Sequence, residues 1–166
     1  TGAKMRQALF NILGPRVAGA RVADLFAGSG TLGLEALSRG AAECLFVEKS
    51  HPTAKVIQAN LAALGLRGQG WVMATGLEAA FGALKAAAPF ALVLADPPYG
   101  KGQVARLLEL AAQGWLLTPD GLLIIEHSPK EAPQAPGGLE TIDHRKYGQS
   151  ELSFFSPASD SKGKDK

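Results

Sequence analysis

Two apolar strand patterns, FALVLA at 90–95 and GLLIIE at 121–126, constrain this chain most. A strand that is apolar on both faces must be covered on both, and such strands belong to parallel sheets whose crossovers are helices. Helical patterns do lie between the candidate strands. Residues 4–13 (KMRQALFNIL) put Met5, Leu9, Ile12 and Leu13 on one face at helical spacing, and Gly14-Pro15 stops them. RVADLF at 21–26 reads as a short buried strand, and AGSGTLGLEALSRG then turns through glycines into a helix ending at Arg39, with Gly40 behind it. ECLFV at 43–47 is a strand. Ser50 is a helix N-cap, with Pro52 in the first turn of a helix that closes at Gly65. GWVMA at 70–74 reads as a strand, Leu77–Ala87 as a helix and Gln103–Leu117 as another. Residues 139–147 and 150–156 predict a terminal antiparallel pair. The expected class is α/β, with a mostly parallel sheet and helices on both faces.

Of 166 residues, 46% are apolar and 19% charged, which is enough for a core and excludes a disordered tail or a disulfide-stapled miniprotein. Seventeen Lys and Arg against fifteen Asp and Glu leave a net charge of +2, which permits a polyanionic partner without requiring one. No run approaches the roughly 18 apolar residues of a membrane span, and without a charged n-region followed by an apolar h-region secretion is not expected. The single cysteine, Cys44, has no partner for a disulfide, so a cytoplasmic location is expected. EAPQAPGG at 131–138 lies too near the end to separate two domains. One domain over 1–158 is expected, then a polar tail at 159–166.

Gly28, Gly30 and Gly33 in AGSGTLG match G-x-G-x-x-G directly after a strand and at the start of a helix. Glycines there let the turn tighten and a ligand approach the backbone, while the helix end offers unpaired N–H groups. Glu48 follows the first glycine by 20 residues and ends the next strand, where a carboxylate can accept from ribose hydroxyls. Taken alone this fits a dinucleotide, or glycines serving only close packing. Asp24, four residues before the first glycine, points away from a dinucleotide. A carboxylate inside a strand is costly unless it caps loop N–H groups or meets a positive ligand. S-adenosylmethionine carries an ammonium and a sulfonium and has no phosphate.

Asp96-Pro97-Pro98-Tyr99 ends the fourth strand, again at the carboxyl edge of the sheet. The two prolines fix a rigid loop of outward carbonyls beside a carboxylate and an aromatic ring. The exocyclic amine of a nucleobase is a poor nucleophile, because its lone pair is delocalised into the ring. Asp96 and the Pro97 carbonyl can accept its two N–H bonds, turning the lone pair toward an electrophile and stabilising the positive charge that develops. Tyr99 can stack on a base drawn out of its helix.

On these residues the chain resembles the class I S-adenosylmethionine-dependent methyltransferases that act on amino groups, with VADLFAGSG as their first cofactor motif and DPPY as their catalytic motif. Four blocks in family order narrow the resemblance to the bacterial 16S ribosomal RNA guanine-N2 methyltransferases. They are TGAKMRQALFNIL, DLFAGSGTLGLEALSRGA, DPPYGKG and KYGQSELSFF. The resemblance implies a Rossmann-like, doubly wound sheet of seven strands, the last antiparallel. It implies that Asp24 and the loop of Phe26, Ala27, Gly28, Ser29 and Gly30 hold the methionine end of the cofactor. Glu48, with Lys49 beside it, would hold the ribose. Asp96, Pro97, Pro98 and Tyr99 would present guanine N2, and Phe10 and Asn11 would lie near the cofactor or substrate entrance.

Two departures stand out. The family places an acid after strand three, near the adenine, where this chain has Ala74-Thr75-Gly76, leaving Thr75 or a backbone group to take that contact. Members also carry a basic N-terminal β-hairpin used in RNA recognition, which would precede Thr1. The RNA face legible here is therefore Asn11 together with Lys4, Arg6, Lys101, Arg145 and Lys146, and these five cations suit phosphates. His127 and His144 have no ligand-spaced partners in the sequence, so no metal is expected, and the protein is expected to be a monomer. Adenine N6 of RNA or DNA, or a protein glutamine amide, is the nearest alternative acceptor. A nicotinamide oxidoreductase leaves Asp24 and DPPY without a role, and a non-catalytic nucleotide-binding module leaves the tetrad without one.

Overall fold

A computed structural model describes residues 2–159, so Asp160–Lys166 of the expected polar tail lie outside the described residues. The elements run α1 (Ala3–Leu13), β1 (Arg21–Leu25), α2 (Thr31–Ser38), β2 (Glu43–Val47), α3 (His51–Ala63), β3 (Gly70–Met73) and α4 (Leu77–Ala87). They continue with β4 (Phe90–Ala95), α5 (Gln103–Ala112), β5 (Leu117–His127), β6 (Leu139–Tyr147) and β7 (Ser150–Pro157). Ser50 caps α3 by accepting the Thr53 N–H, as its position predicts.

One element ends early. The apolar pattern after Gln103 predicts a helix to Leu117, but α5 stops at Ala112. Gly114 turns the chain at φ +95°, and Leu116 and Leu117 serve the core as the approach to β5 instead. The strand expected at 121–126 accordingly starts at Leu117.

The seven strands form one sheet in the order β3-β2-β1-β4-β5-β7-β6. β1 to β5 are parallel, and β7 inserts antiparallel between β5 and β6. The alternation of each strand serves two cores. Val22, Leu92, Leu94 and Ile124 face α1, α2 and α3, while Ala23, Val93, Leu123 and Ile125 face α4 and α5. Gly33 shows how closely the first face packs. A Cβ there would lie 2.4 Å from the Phe46 ring and 2.7 Å from Cys44 Sγ, so only glycine lets α2 lie on β2. Near its middle β6 carries one extra residue. Thr141 pairs with Phe155 and Asp143 with Phe154, leaving Ile142 as an exposed bulge. Strand order reverses between β1 and β4, and in open α/β sheets ligands bind at the carboxyl ends flanking such a reversal.

Candidate active site

The loops leaving β1, β2, β3 and β4 enclose a cavity of about 540 Å³ at the carboxyl edge, of ordinary size for a small-molecule site. Its entry turn is built by backbone geometry. Phe26 sits at φ +56°, a conformation that costs a non-glycine residue about 1–3 kcal/mol, and its ring faces the cavity. Gly28 and Gly30 follow at φ +59° and +82°. The Ala27 N–H donates to the Val47 carbonyl and the Gly30 N–H to the Ala27 carbonyl, both at 2.9 Å.

Glu48 fastens this turn to β2. One carboxylate oxygen accepts the Gly28 N–H at 2.8 Å and the other the Ser50 N–H at 2.9 Å. Each oxygen keeps a lone pair, and Glu48 lines the cavity, so it can accept from a ligand's hydroxyls as well.

Asp24 lies beneath the turn rather than on the cavity wall. Its Oδ2 accepts the Gly33 N–H at 2.9 Å, and the side chain is buried. Burial pushes its carboxyl up to about 8, the Gly33 hydrogen bond opposes this, and the Asp96 and Glu48 carboxylates reinforce it. An unfolded Asp titrates near ~3.9, so the native state holds a proton that the unfolded chain has released. The stability from that proton is complete below about pH 4 and is lost as pH rises to about 8. Asp24→Asn keeps an acceptor for Gly33 and removes the titration. We expect the melting temperature of the cofactor-free protein to fall more steeply between pH 5 and pH 8 (roughly, the window set by these values) in the wild type than in this variant. Parallel melting curves would contradict that account.

Asp96 follows β4, with Pro97 buried behind it and the Tyr99 ring 60% exposed and open to stacking. Asp96 and Pro98 line the cavity. The Asp96 residue reaches solvent, but its carboxyl is partly enclosed at the sheet end. That loss of water, with the neighbouring Glu126 carboxylate, pushes it up to about 6.

Lys49, Thr75 and Lys101 also line the cavity, as their positions predict. Gly76, Leu77, Glu78 and Ala79 were not singled out by motif, yet they bring the start of α4 to the wall. The signal available was a helix beginning directly after the third strand, since its first N–H groups have no partners within the helix. Glu78 is committed elsewhere. Arg106 on α5 grips both its oxygens at 2.7 and 3.0 Å and holds its carboxyl below the usual carboxylate range.

Other candidates fall outside this cavity. Ser29 and Thr31, hydroxyls 3.0 Å apart, line an outer groove with Arg6, whose guanidinium lies 3.7 Å from Glu35. Asn11 accepts from Gln7 on the exposed face of α1. Phe10 is buried in the α1–α2 core under the Arg39 guanidinium, so it packs the helix instead of framing an entrance. Arg145 pairs with Asp143, and Lys146 Nζ lies 4.0 Å from Glu151. Lys4 is exposed on a separate cavity beside Tyr147.

The histidines need a correction. Without spaced partners in the sequence, they meet through strand pairing. β7 sets His127 of β5 and His144 of β6 around Glu151, with the three sets of ligand-type atoms within 4.8 Å of one another. His127 bonds the Ser128 carbonyl at 2.8 Å and the Ser153 hydroxyl at 2.7 Å, and His144 bonds Glu151 at 2.5 Å.

Residues 1–156 match the family model described as Conserved hypothetical protein 95. The chain belongs to this family. It is 34% identical over 154 residues to “Putative rRNA methyltransferase YlbH” of Bacillus subtilis, covering 92% of this chain and 84% of that protein. It is also 34% identical over 139 residues to “Ribosomal RNA small subunit methyltransferase D” of Escherichia coli, covering 84% of this chain and 66% of that protein. The solved “Putative methyltransferase yhhF from Escherichia coli” superposes with a TM-score of 0.86 at 29% identity, over 96% of this chain and 89% of the other. The seven-stranded class I methyltransferase fold expected from the resemblance is the one observed. The protein is a methyltransferase that uses S-adenosylmethionine. The cavity's donor set fits that cofactor: apolar walls from Phe26, Val47 and Leu77 for a ring, a hydroxyl-accepting carboxylate, and free helix N–H groups. Among the described residues no helix is long and apolar enough to cross a membrane.

Proposed function

We propose that the protein transfers a methyl group from S-adenosylmethionine to the exocyclic N2 of a guanine in small-subunit (16S) ribosomal RNA. The observation that carries this is the placement of Asp96-Pro97-Pro98-Tyr99, with the carboxyl of Asp96 on the cofactor cavity and the Tyr99 ring beside it facing solvent. The four motif blocks, one relative named as a putative rRNA methyltransferase and another named for the small subunit support the ribosomal substrate.

Each residue then has a role. Glu48 accepts the ribose hydroxyls, with Lys49 at the rim. The turn of Phe26, Ala27, Gly28, Ser29 and Gly30, held from below by Asp24, shapes the methionine end. Thr75 and the first N–H groups of α4 take the adenine edge in place of the missing acid. The bound cofactor supplies a methyl carbon on a positively charged sulfur, which leaves as a neutral thioether when the new C–N bond forms. Asp96 and the Pro97 carbonyl orient the amine through its N–H bonds, and Tyr99 holds the base face-on. Once methylated, the nitrogen is cationic and acidic, and Asp96 takes its proton. No strong base is needed before attack, because the charge appears only as the bond forms. Lys4, Lys101 and Lys146, with Arg6, Asn11 and Arg145 around them, form the RNA-facing surface.

The test is transfer of labelled methyl groups to unmethylated small ribosomal subunits, with naked RNA and DNA alongside, followed by nucleoside analysis. Label in N2-methylguanosine is the expected result. Label in methyladenine would overturn the acceptor, and label in protein the substrate class.

A further inference from the structure

Asp96 lines the cofactor cavity, but its neighbour on β5 faces elsewhere. The β4–β5 register sets Ala95 opposite Ile125, and one step on it sets Asp96 beside Glu126. Their carboxyl groups are near neighbours, and the Glu126 carboxylate is one of the causes that raise Asp96. Glu126 in turn lines a second cavity of about 360 Å³ between α1 and the β6–β7 turn, shared with Lys4, Met5, Tyr147 and Ser150. The carboxyl pair therefore links the two cavities, one acid on each.

Two carboxylate acceptors side by side at the ends of neighbouring strands match one feature of nucleobases. Guanine presents N1–H and N2–H as adjacent donors on the same edge. Adenine and 2-aminopurine have a bare N1, whose lone pair would meet the Glu126 carboxylate. The rest of the second cavity suits guanine too, since Lys4 and Ser150 bring donors for O6 and Tyr147 brings an aromatic wall.

We propose that this second cavity receives the acceptor guanine, with Glu126 accepting its N1–H while Asp96 accepts from N2. Glu126 is then the residue that separates guanine from bases with an unprotonated N1. The assignment rests on the guanine-N2 reading above.

The experiment first maps the nucleotide that the wild-type protein methylates in small subunits. Subunits are then reconstituted with 2-aminopurine at that position, which keeps the N2 amine and lacks the N1 proton. A site built to accept a hydrogen bond rejects an analogue lacking the donor, so the wild type should favour guanine by about 100-fold or more in kcat/KM. In Glu126→Gln the amide can turn an N–H toward the bare N1, and the preference should fall below about tenfold. Affinity for S-adenosylhomocysteine should stay within about twofold, which checks the fold and the first cavity together. Tyr147→Ala should raise KM about tenfold through lost stacking. A Glu126→Gln protein that keeps the wild-type preference, or a Tyr147→Ala protein with unchanged KM, overturns the pocket and leaves the guanine reading standing. Label in adenine overturns both.

Discussion

Asp96→Ala is expected to lower kcat for methyl transfer by about 10³-fold, with affinity for S-adenosylhomocysteine changed by no more than a few-fold. The separation follows from placement. Asp96 follows β4 and Glu48 follows β2, on opposite sides of β1, and it is Glu48 whose carboxylate ties down the entry turn. In the proposed mechanism the variant loses the acceptor that aims the amine and neutralises it as it becomes cationic. Single-turnover rates on small subunits, beside calorimetric binding of S-adenosylhomocysteine, measure the two quantities separately. A matched loss in both would mean that Asp96 serves the cofactor instead of the chemistry. The same carboxyl sets a pH dependence. Only its ionised form carries the charge that steadies the cationic amine and can take its proton, and burial with Glu126 alongside lifts it to about 6. The rate should hold above that pH and fall as the solution is acidified through it, far above the ~3.9 of an ordinary Asp.

Glu48→Ala should have the opposite signature, weakening S-adenosylhomocysteine by about 100-fold or more. Hydrogen bonds to a charged group contribute about 1.5–3 kcal/mol each, and in the proposed site Glu48 offers its remaining lone pairs to two hydroxyls. The variant also frees the Gly28 and Ser50 N–H groups, so the turn loses its tie to β2. At saturating cofactor kcat should largely recover, because the acceptor side of the site is untouched. Glu48→Gln tests the hydrogen-bond count. Its single oxygen cannot serve both backbone N–H groups, so it too should bind weakly despite its matching shape. Titration calorimetry reads both variants, and near-wild-type affinity for Glu48→Gln would refute the role given to its two oxygens.

What could be read from the sequence was what the chain does locally. The strand Phe90–Ala95 and the helix Leu77–Ala87 fall at their expected bounds, because period and punctuation are short-range properties. The glycine turn, Glu48 and DPPY were legible for the same reason, since spacing along the chain sets their position at strand ends. Leu116 and Leu117 fit the helical period that starts at Gln103, but Gln113-Gly114 carries a helix stop that outweighs it. Phe10 looked like an entrance residue by motif but is held in the core, where the apolar face of α1 demands it. Invisible altogether were the meetings made by strand register. Glu126 with Asp96 and His127 with His144 and Glu151 come from segments whose pairing no local pattern announces.

The extra residue in β6 decides which way that strand's last side chains look. Ahead of the bulge, Leu139 and Thr141 share the face of α4 and α5. Past Ile142 the parity flips, and Asp143, Arg145 and Tyr147 share the face of Phe154, Leu152 and α1. That is the face on which Glu126 stands, opposite Leu152 in the register. A chain one residue shorter at this point could keep the same hairpin and the same strand order, and yet turn the Tyr147 ring to the wrong side of the sheet. The aromatic wall of the second cavity thus depends on an odd-or-even count made five residues upstream, at a side chain that itself touches neither cavity.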